Sequence, residues 1–241
     1  MRIAYITDTY LPETNGIVTA IVRHARALAA RGHTFLVLCP RYGPDDPGDE
    51  DSISVERYRG FRVPSNPDTH LALPWRQAVA RRLRAFAPDL VHVQTPMTLG
   101  LAGLRAARTL GVPLVQTYHS YVPGFLQYAR PSRVLGLDRG PRRIHDTRLG
   151  RAMTRAIYNR GDLVLAPSET LARLLRTIGV KPEVRTQTNG IDLTEFPPKR
   201  DWALRSWILS WGRFARVVSP ASLATAVRAD LQAADMQYAT H

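Results

Sequence analysis

Short apolar runs alternate with amphipathic, helix-spaced segments along the first four fifths of the chain. Ile3, Ala4, Tyr5 and Ile6 form a near-continuous apolar run, which predicts a short buried strand over Arg2 to Asp8. A helix is expected from about Ile17 to Arg31. Its stripe is Ile17, Ala20, Ile21, Ala25 and Leu28, with His24 as the polar exception and Gly32 as the stop. His33 to Cys39 reads as a second buried strand, and this parallel βα unit should cross over right-handedly. Residues 43 to 51, rich in proline, glycine and acid, are expected as a mobile, solvated loop. Ile53 to Val63 reads as one or two strands. Residues 64 to 74 read as a loop ending in Pro74, a residue that suits the first turn of a helix.

The helix from Trp75 to Ala87 has Trp75, Val79, Leu83 and Phe86 on one face, with Arg76, Arg81, Arg82 and Arg84 mostly off it. Strands follow at Asp89 to Val93 and Val112 to Tyr118, separated by a helix from Thr98 to Leu110 that Gly111 ends. His92, in mid-strand, reads as a satisfied core residue. Further on, Leu149, Ala152, Met153, Ala156 and Ile157 form a helical stripe. Asp162 to Ala166 is a strand. Ser168 caps a helix over Glu169 to Ile178, Gly179 ends it, and Glu183 to Thr188 is a last short strand. Six or seven strands alternating with helices define an α/β fold: a Rossmann-like, doubly wound parallel sheet.

After Pro198 the pattern changes. Trp202, Trp207 and Trp211 cluster, Ile208 to Arg213 looks like a strand running into a loop, and Ala221 to Met236 reads as a helix. An independent α/β domain needs on the order of 100 residues. Residues 1 to 198 are therefore read as one domain. Residues 199 to 241 are read as a stub, or altered start, of a second Rossmann domain, or as an appendage.

Candidate chemistry gathers where strands end. In an open parallel sheet, ligands bind beyond the carboxyl ends of the strands. Gly16, at the start of the first helix, allows close backbone approach, and the first-turn N–H groups suit an anion such as phosphate. Asn15 can cap that helix. A plain capped turn explains the same residues equally. One glycine is not GxGxxG, which disfavours a dinucleotide site. His119, followed by Ser120, lies at another carboxyl end and faces the same cleft. It can bond a sugar or a phosphate, or simply cap the strand end.

Charge adds a partner class. The chain of 241 residues carries a formal net charge of +13, which favours anionic partners or merely an arginine-rich composition. Nine arginines lie between Arg130 and Arg160, opposed only by Asp138 and Asp146. Tyr158 is the one aromatic residue among them, too few for a base-stacking platform, so nucleic acid is disfavoured and an anionic membrane surface is the better expectation. For the helix at 75 to 87, the competing expectation is a stripe packed on the sheet. Cys39 is the one cysteine, which excludes a disulfide framework and a cysteine zinc site and suggests a reduced, cytoplasmic setting. No apolar run approaches a membrane span, and the first residues read as a strand rather than a signal peptide.

Five stretches in order carry a family resemblance: DTYLPETNGIVT (8–19), APDLVHVQTP (87–96), GVPLVQTYHS (111–120), DLVLAPSE (162–169) and TNGIDLTEF (188–196). Across residues 1 to 198 the chain resembles the N-terminal domain of GT-B glycosyltransferases of family 4, the retaining nucleotide-sugar group. Its opening looks most like bacterial lipid mannosyltransferases and sulfoquinovosyl-diacylglycerol synthases. The resemblance implies an N-terminal acceptor domain and a C-terminal donor domain. It implies that Gly16 approaches the donor diphosphate with Asn15 beside it, and that His119 contacts the transferred sugar as the catalytic-site residue. Asp8, Tyr10, Asn15 and Ser120 would shape the acceptor pocket, and Arg213, in SWGRFARVV, would grip the diphosphate. The lysine expected a few residues after it is missing, since Val218 and Ser219 stand there, and the family's donor-binding glutamates have no counterpart.

The resemblance further implies a metal-independent mechanism with no cofactor beyond the co-substrate, a GDP-mannose or UDP-sugar donor. Cationic side chains and helix N-termini would stabilise the diphosphate. Two functions follow. One is transfer of a hexose, most simply mannose, to a lipid or glycan acceptor at the cytoplasmic membrane face, with this chain as the acceptor half. The other is a catalytically incomplete module that binds anionic lipid or a phosphosugar, or pairs as an oligomer or with a separate donor-domain partner.

Overall fold

The computed structural model describes residues 1–63, 66–74, 76–119, 148–188, 205, 209, 217 and 221–238. It divides into two compact units, Met1–Gly190 and Ile191–His241.

In the first unit, β1 (Arg2–Ile6), α1 (Gly16–Ala29), β2 (Thr34–Pro40) and β3 (Ile53–Tyr58) come first. β4 (Gly60–Val63), β5 (Asn66–Ala72), α2 (Arg76–Phe86), β6 (Leu90–Val93), α3 (Thr98–Leu110) and β7 (Leu114–Thr117) follow. α4 (Arg148–Tyr158), β8 (Leu163–Ala166), α5 (Glu169–Thr177) and β9 (Glu183–Thr186) complete it. Seven strands form one sheet in the order β3-β2-β1-β6-β7-β8-β9, and every pairing in it is parallel. The chain winds outward from β1 to β3, returns, and restarts beside β1 at β6. That reversal creates a crevice beyond the ends of β1 and β6.

Alternation along the strands sorts the core into two faces. Ala4, Ile6, Leu36, Leu38, Val91 and Val93 pack with Val79, Leu83 and Phe86 of α2 and with Leu99 and Leu104 of α3. Ile3, Tyr5, Phe35 and Val37 face α1 through Val18, Ile21, Val22 and Ala25. A third cluster joins Tyr118 and Tyr158 to Val164, Ala172 and Leu175. Gly32, Gly111 and Gly179 all take positive φ just past their helices, as the stop signals predicted.

Three local expectations need correction. Residues 64 to 74 are not simply a loop: Asn66–Ala72 is a strand, paired antiparallel with β4 in a separate two-stranded sheet. The acidic segment 43 to 51 is tethered rather than free. Asp46 accepts from the amides of Tyr42 and Gly43, Asp49 accepts from Val55 N–H, and Glu50 pairs with Arg26. Arg57, largely buried, binds the Pro40 and Pro47 carbonyls. The stripe of α4 also turns differently: Gly150, Thr154 and Tyr158 are buried, whereas Ala152 and Ala156 are exposed. By contrast Val79, Leu83 and Phe86 are buried in the core, so the apolar face of α2 serves the sheet and is closed to a membrane. Trp75 and residues 120–147 lie outside the described residues.

In the second unit, α6 (Ala221–Tyr238) is the described helix, and Arg205 pairs with Asp230 at 3.0 Å. Among the described residues, no helix is long and apolar enough to cross a membrane.

Two glycines hold α3 against the sheet. A Cβ on Gly100 would run into the Thr95 carbonyl, and one on Gly103 into the Ile6 side chain. Backbone cannot yield as a side chain can, so Gly100→Ala should cost the upper end of the ~1–3 kcal/mol typical of overpacking. Gly103→Ala should cost less. Urea unfolding of both variants checks the order.

Candidate functional site

Asp8 follows β1 at the strand reversal. Its side chain is only 5% exposed, and it is saturated by this chain's own donors. Oδ1 accepts from Leu99 N–H at 2.7 Å and Thr98 Oγ1 at 3.2 Å. Oδ2 accepts from Met97 N–H at 2.9 Å, Thr95 Oγ1 at 3.0 Å and Gly100 N–H at 3.3 Å. The Asp8 amide in turn donates to Thr95 Oγ1 at 2.6 Å. Met97, at the α3 N-cap position, makes no side-chain cap bond, so Asp8 caps α3 from across the sheet. A carboxylate at a helix N-terminus is favoured by the dipole and by the orphan amides. Burial pushes the Asp8 carboxyl up, against hydrogen bonds from Leu99, Thr95, Gly100 and Met97 that pull it down. The role implied for Asp8 thus becomes that of a scaffold: it shapes the crevice and has no donor-free oxygen facing outward.

Tyr10 is likewise a core residue, 3% exposed and packed in the α1-side cluster. It meets Arg57 through a ring contact at 6.0 Å.

Asn15 caps α1 as its sequence position predicts, accepting from Ile17 N–H at 3.0 Å and Val18 N–H at 2.9 Å. That narrows the anion-accepting turn. Two first-turn amides are used by Asn15, and the Thr19 amide bonds the Asn15 carbonyl. Among the described residues, the Gly16 amide has no partner. Nothing lies within 4 Å of a Cβ built on Gly16, so the helix entrance is open. Asn15, Ile17, Thr9 and Glu13 line a hollow of about 90 Å³ with Asp8 and Thr95.

His119 sits at the end of β7, on the α1 side of the sheet. Its Nε2 lies 2.6 Å from Gln94 Oε1. The Gln94 amide nitrogen lies 3.3 Å from His92 Nδ1, and His92 Nε2 lies 2.7 Å from Thr117 Oγ1. His92 also meets the Tyr5 ring edge-on at 5.1 Å, which is the satisfied core role its mid-strand position suggested. Burial, with the nearby His24, pushes His119 down to about 4. Burial, with His119 and His24, pushes His92 down to about 3. His119, His92, Thr117, His24, Arg31 and Arg185 contribute to a groove of about 500 Å³ along this face.

Gly16 and His119 thus lie at the same end of the sheet but do not share a hollow: His119 lines the larger groove, and the neighbours of Gly16, Asn15 and Ile17, line the small one. The end of β6 separates and couples them: Gln94 bonds His119, and the next residue, Thr95, bonds Asp8. The sequence pattern by itself assigns no role to Gln94, Thr95, Thr117 or Gly100. The usable signal was the glycine inside the Thr98–Leu110 helix, since such a glycine marks a close backbone approach. Ser120 and Arg213 lie outside the described residues. Among the described residues, no cluster of three or more His, Cys, Asp or Glu could hold a metal ion.

The topology and crevice define an α/β protein of the Rossmann-like class, and solved structures share that fold. Anabaena HepE in complex with UDP-glucose aligns with TM-score 0.53 at 17% identity, over 90% of this chain and 53% of that one. Sucrose-phosphate synthase from Thermosynechococcus elongatus aligns with TM-score 0.52 at 17% identity, over 80% and 49%. The family model described as Glycosyltransferase Family 4 matches residues 14–195, and the chain belongs to that family. A WCX domain model also matches residues 161–234, a minor part of the chain that runs across both compact units.

Curated relatives agree with the family. A GDP-mannose-dependent alpha-mannosyltransferase of Mycolicibacterium smegmatis is 34% identical over 85% of this chain and 52% of its own length. An alpha-monoglucosyldiacylglycerol synthase of Streptococcus pneumoniae is 30% identical over 81% and 42%. The chain spans about half the length of the curated relatives it matches.

The two depressed histidines predict a pH dependence. Each binds a proton in the unfolded chain below about pH 6.5 but stays neutral when folded until about 4 for His119 and 3 for His92. Their contribution to stability is therefore full above about pH 6.5 and is lost as pH falls toward those values. The slope is about 1.4 kcal/mol per pH unit for each. Chemical denaturation between about pH 7 and 4 should show this slope, and a His92→Gln, His119→Gln double variant should flatten it.

Proposed function

We propose that this chain is the acceptor half of a retaining glycosyltransferase that moves a hexose, most simply mannose from GDP-mannose, to a lipid or glycan acceptor. The support is its membership of Glycosyltransferase Family 4 together with relatives named for GDP-mannose and diacylglycerol substrates. The single structural observation that carries the reading is the crest at the strand reversal. There the Gly16 amide, which has no partner among the described residues, and the neutral His119 ring stand on either side of the β6 end.

In this reading the Gly16 N–H, at the positive end of α1, approaches the donor diphosphate, where a side chain would stand in the way. His119 meets the transferred sugar as an uncharged hydrogen-bonding group. Asn15 and the hollow beside it, closed off by Asp8, receive the acceptor. Tyr10 supports the wall from the core. No metal is needed for this scheme, because amides and cations carry the diphosphate charge. The positive charge of the chain draws it to an anionic lipid surface at the cytoplasmic face of the membrane.

The test is transfer of label from GDP-mannose or UDP-glucose, with the purified chain and a bacterial lipid extract. Mannosylated lipid is the expected product, and glucose transfer in its place would overturn the choice of sugar. Lipid binding without transfer from either donor would favour the alternative, a catalytically incomplete binding module. Gly16→Leu supplies a second arm. Because the space beside Gly16 is open, the variant should unfold within about 1 kcal/mol of the parent while losing at least tenfold in donor affinity by calorimetry. Unchanged affinity would remove Gly16 from the site.

A further inference from the structure

The hydrogen-bonded run from Thr117 through His92 and Gln94 to His119 joins four polar side chains on the α1 face of the sheet. A primary carboxamide has a donating end and an accepting end. Its two histidine neighbours therefore cannot choose their tautomers independently. With Oε1 toward His119 and the amide nitrogen toward His92, Gln94 accepts from His119 Nε2–H and donates to His92 Nδ1. His92 then carries its proton on Nε2 and donates it to Thr117 Oγ1. The opposite orientation would reverse all three bonds together and place both protons on Nδ1.

We propose that Gln94 is a positioning residue that fixes His119 in its Nε2–H tautomer, leaving Nδ1 as the accepting nitrogen of the ring. Among the described residues, Nδ1 of His119 has no hydrogen-bond partner. A ring so held accepts from a hydroxyl and offers no proton to a phosphate oxygen, so the side chain selects the hydroxyl-bearing part of a ligand. The titratable and charged groups that line the groove with His119 are His24 from α1, Arg31 just past it, His92 from β6 and Arg185 from β9. Among the described residues no carboxylate lines that groove, so nothing there competes with Gln94 for the His119 proton. Burial keeps both rings neutral near neutral pH, as tautomer control requires. The inference about ligand choice rests on the sugar-contacting role proposed for His119; the tautomer assignment does not.

Two-bond nitrogen–proton NMR spectra of the whole chain, labelled with nitrogen-15 at histidine, test it without turnover. Single His→Gln variants assign the signals. At about pH 7 the parent should show both His92 and His119 as the Nε2–H form, and Gln94→Leu should turn His119 into a mixture of tautomers. Gln94→Glu keeps an acceptor and adds a charge. It should hold the Nε2–H form and raise the His119 titration midpoint by at least about one pH unit. An Nδ1–H signal for His119 in the parent, a spectrum unmoved by Gln94→Leu, or an unmoved midpoint in Gln94→Glu would overturn the proposal. Should Gln94→Leu not fold, the parent spectrum and Gln94→Glu still decide it. Absence of sugar transfer in the donor assay would leave these spectra unchanged, so the two readings fail separately.

Discussion

One buried carboxylate organises the functional end of this sheet. Asp8 leaves β1 and caps α3, accepting from three amides and two hydroxyls spread over Thr95 to Gly100. A charge taken out of water is tolerated only when its oxygens are satisfied, and here the helix N-terminus supplies both donors and favourable dipole. Gly100 belongs to the same device, since a side chain there would push the Thr95 backbone and Asp8 away. The loop from Thr9 to Asn15 therefore starts from a fixed point, and so does the end of β6.

That fixed point explains how two faces of one sheet are coordinated. Successive residues of an extended chain point in opposite directions. Thr95 turns to Asp8 and α3, while Gln94 turns to the α1 face and reaches His119. Adjacent strands lie about 4.8 Å apart, so the ends of β1 and β7 stand on the order of 10 Å apart with β6 between them. The open Gly16 amide and the His119 ring become two stations along one crest rather than the walls of one notch.

The architecture was readable because parallel sheets bury whole strands and leave short apolar runs separated by helix-spaced stripes. The α3 limits, the Ser168 and Asn15 caps and the three glycine stops follow from local chemistry. What was not readable depends on residues far apart in sequence. Asp8 looks like a free acid at a strand end, and only the return of the chain to β6, some ninety residues later, shows its donors. The acidic 43–51 segment reads as solvated, yet Arg57 and backbone amides hold it. The Asn66–Ala72 strand is hidden by its proline and asparagine, which are tolerated because it belongs to a two-stranded sheet outside the main one. Gln94 shows no local signal, for its meaning lies in the polarity of a chain of side chains contributed by β6 and β7.

The measurement closest to the centre of this account is native-state amide exchange in the parent and in Asp8→Ala. If the carboxylate is the cap of α3 and the anchor of the crest, the Leu99, Gly100 and Met97 amides are slow in the parent. They should exchange at least tenfold faster in the variant, while the amides of β2 and β3 change far less. Equal protection of those three amides in both proteins would contradict it.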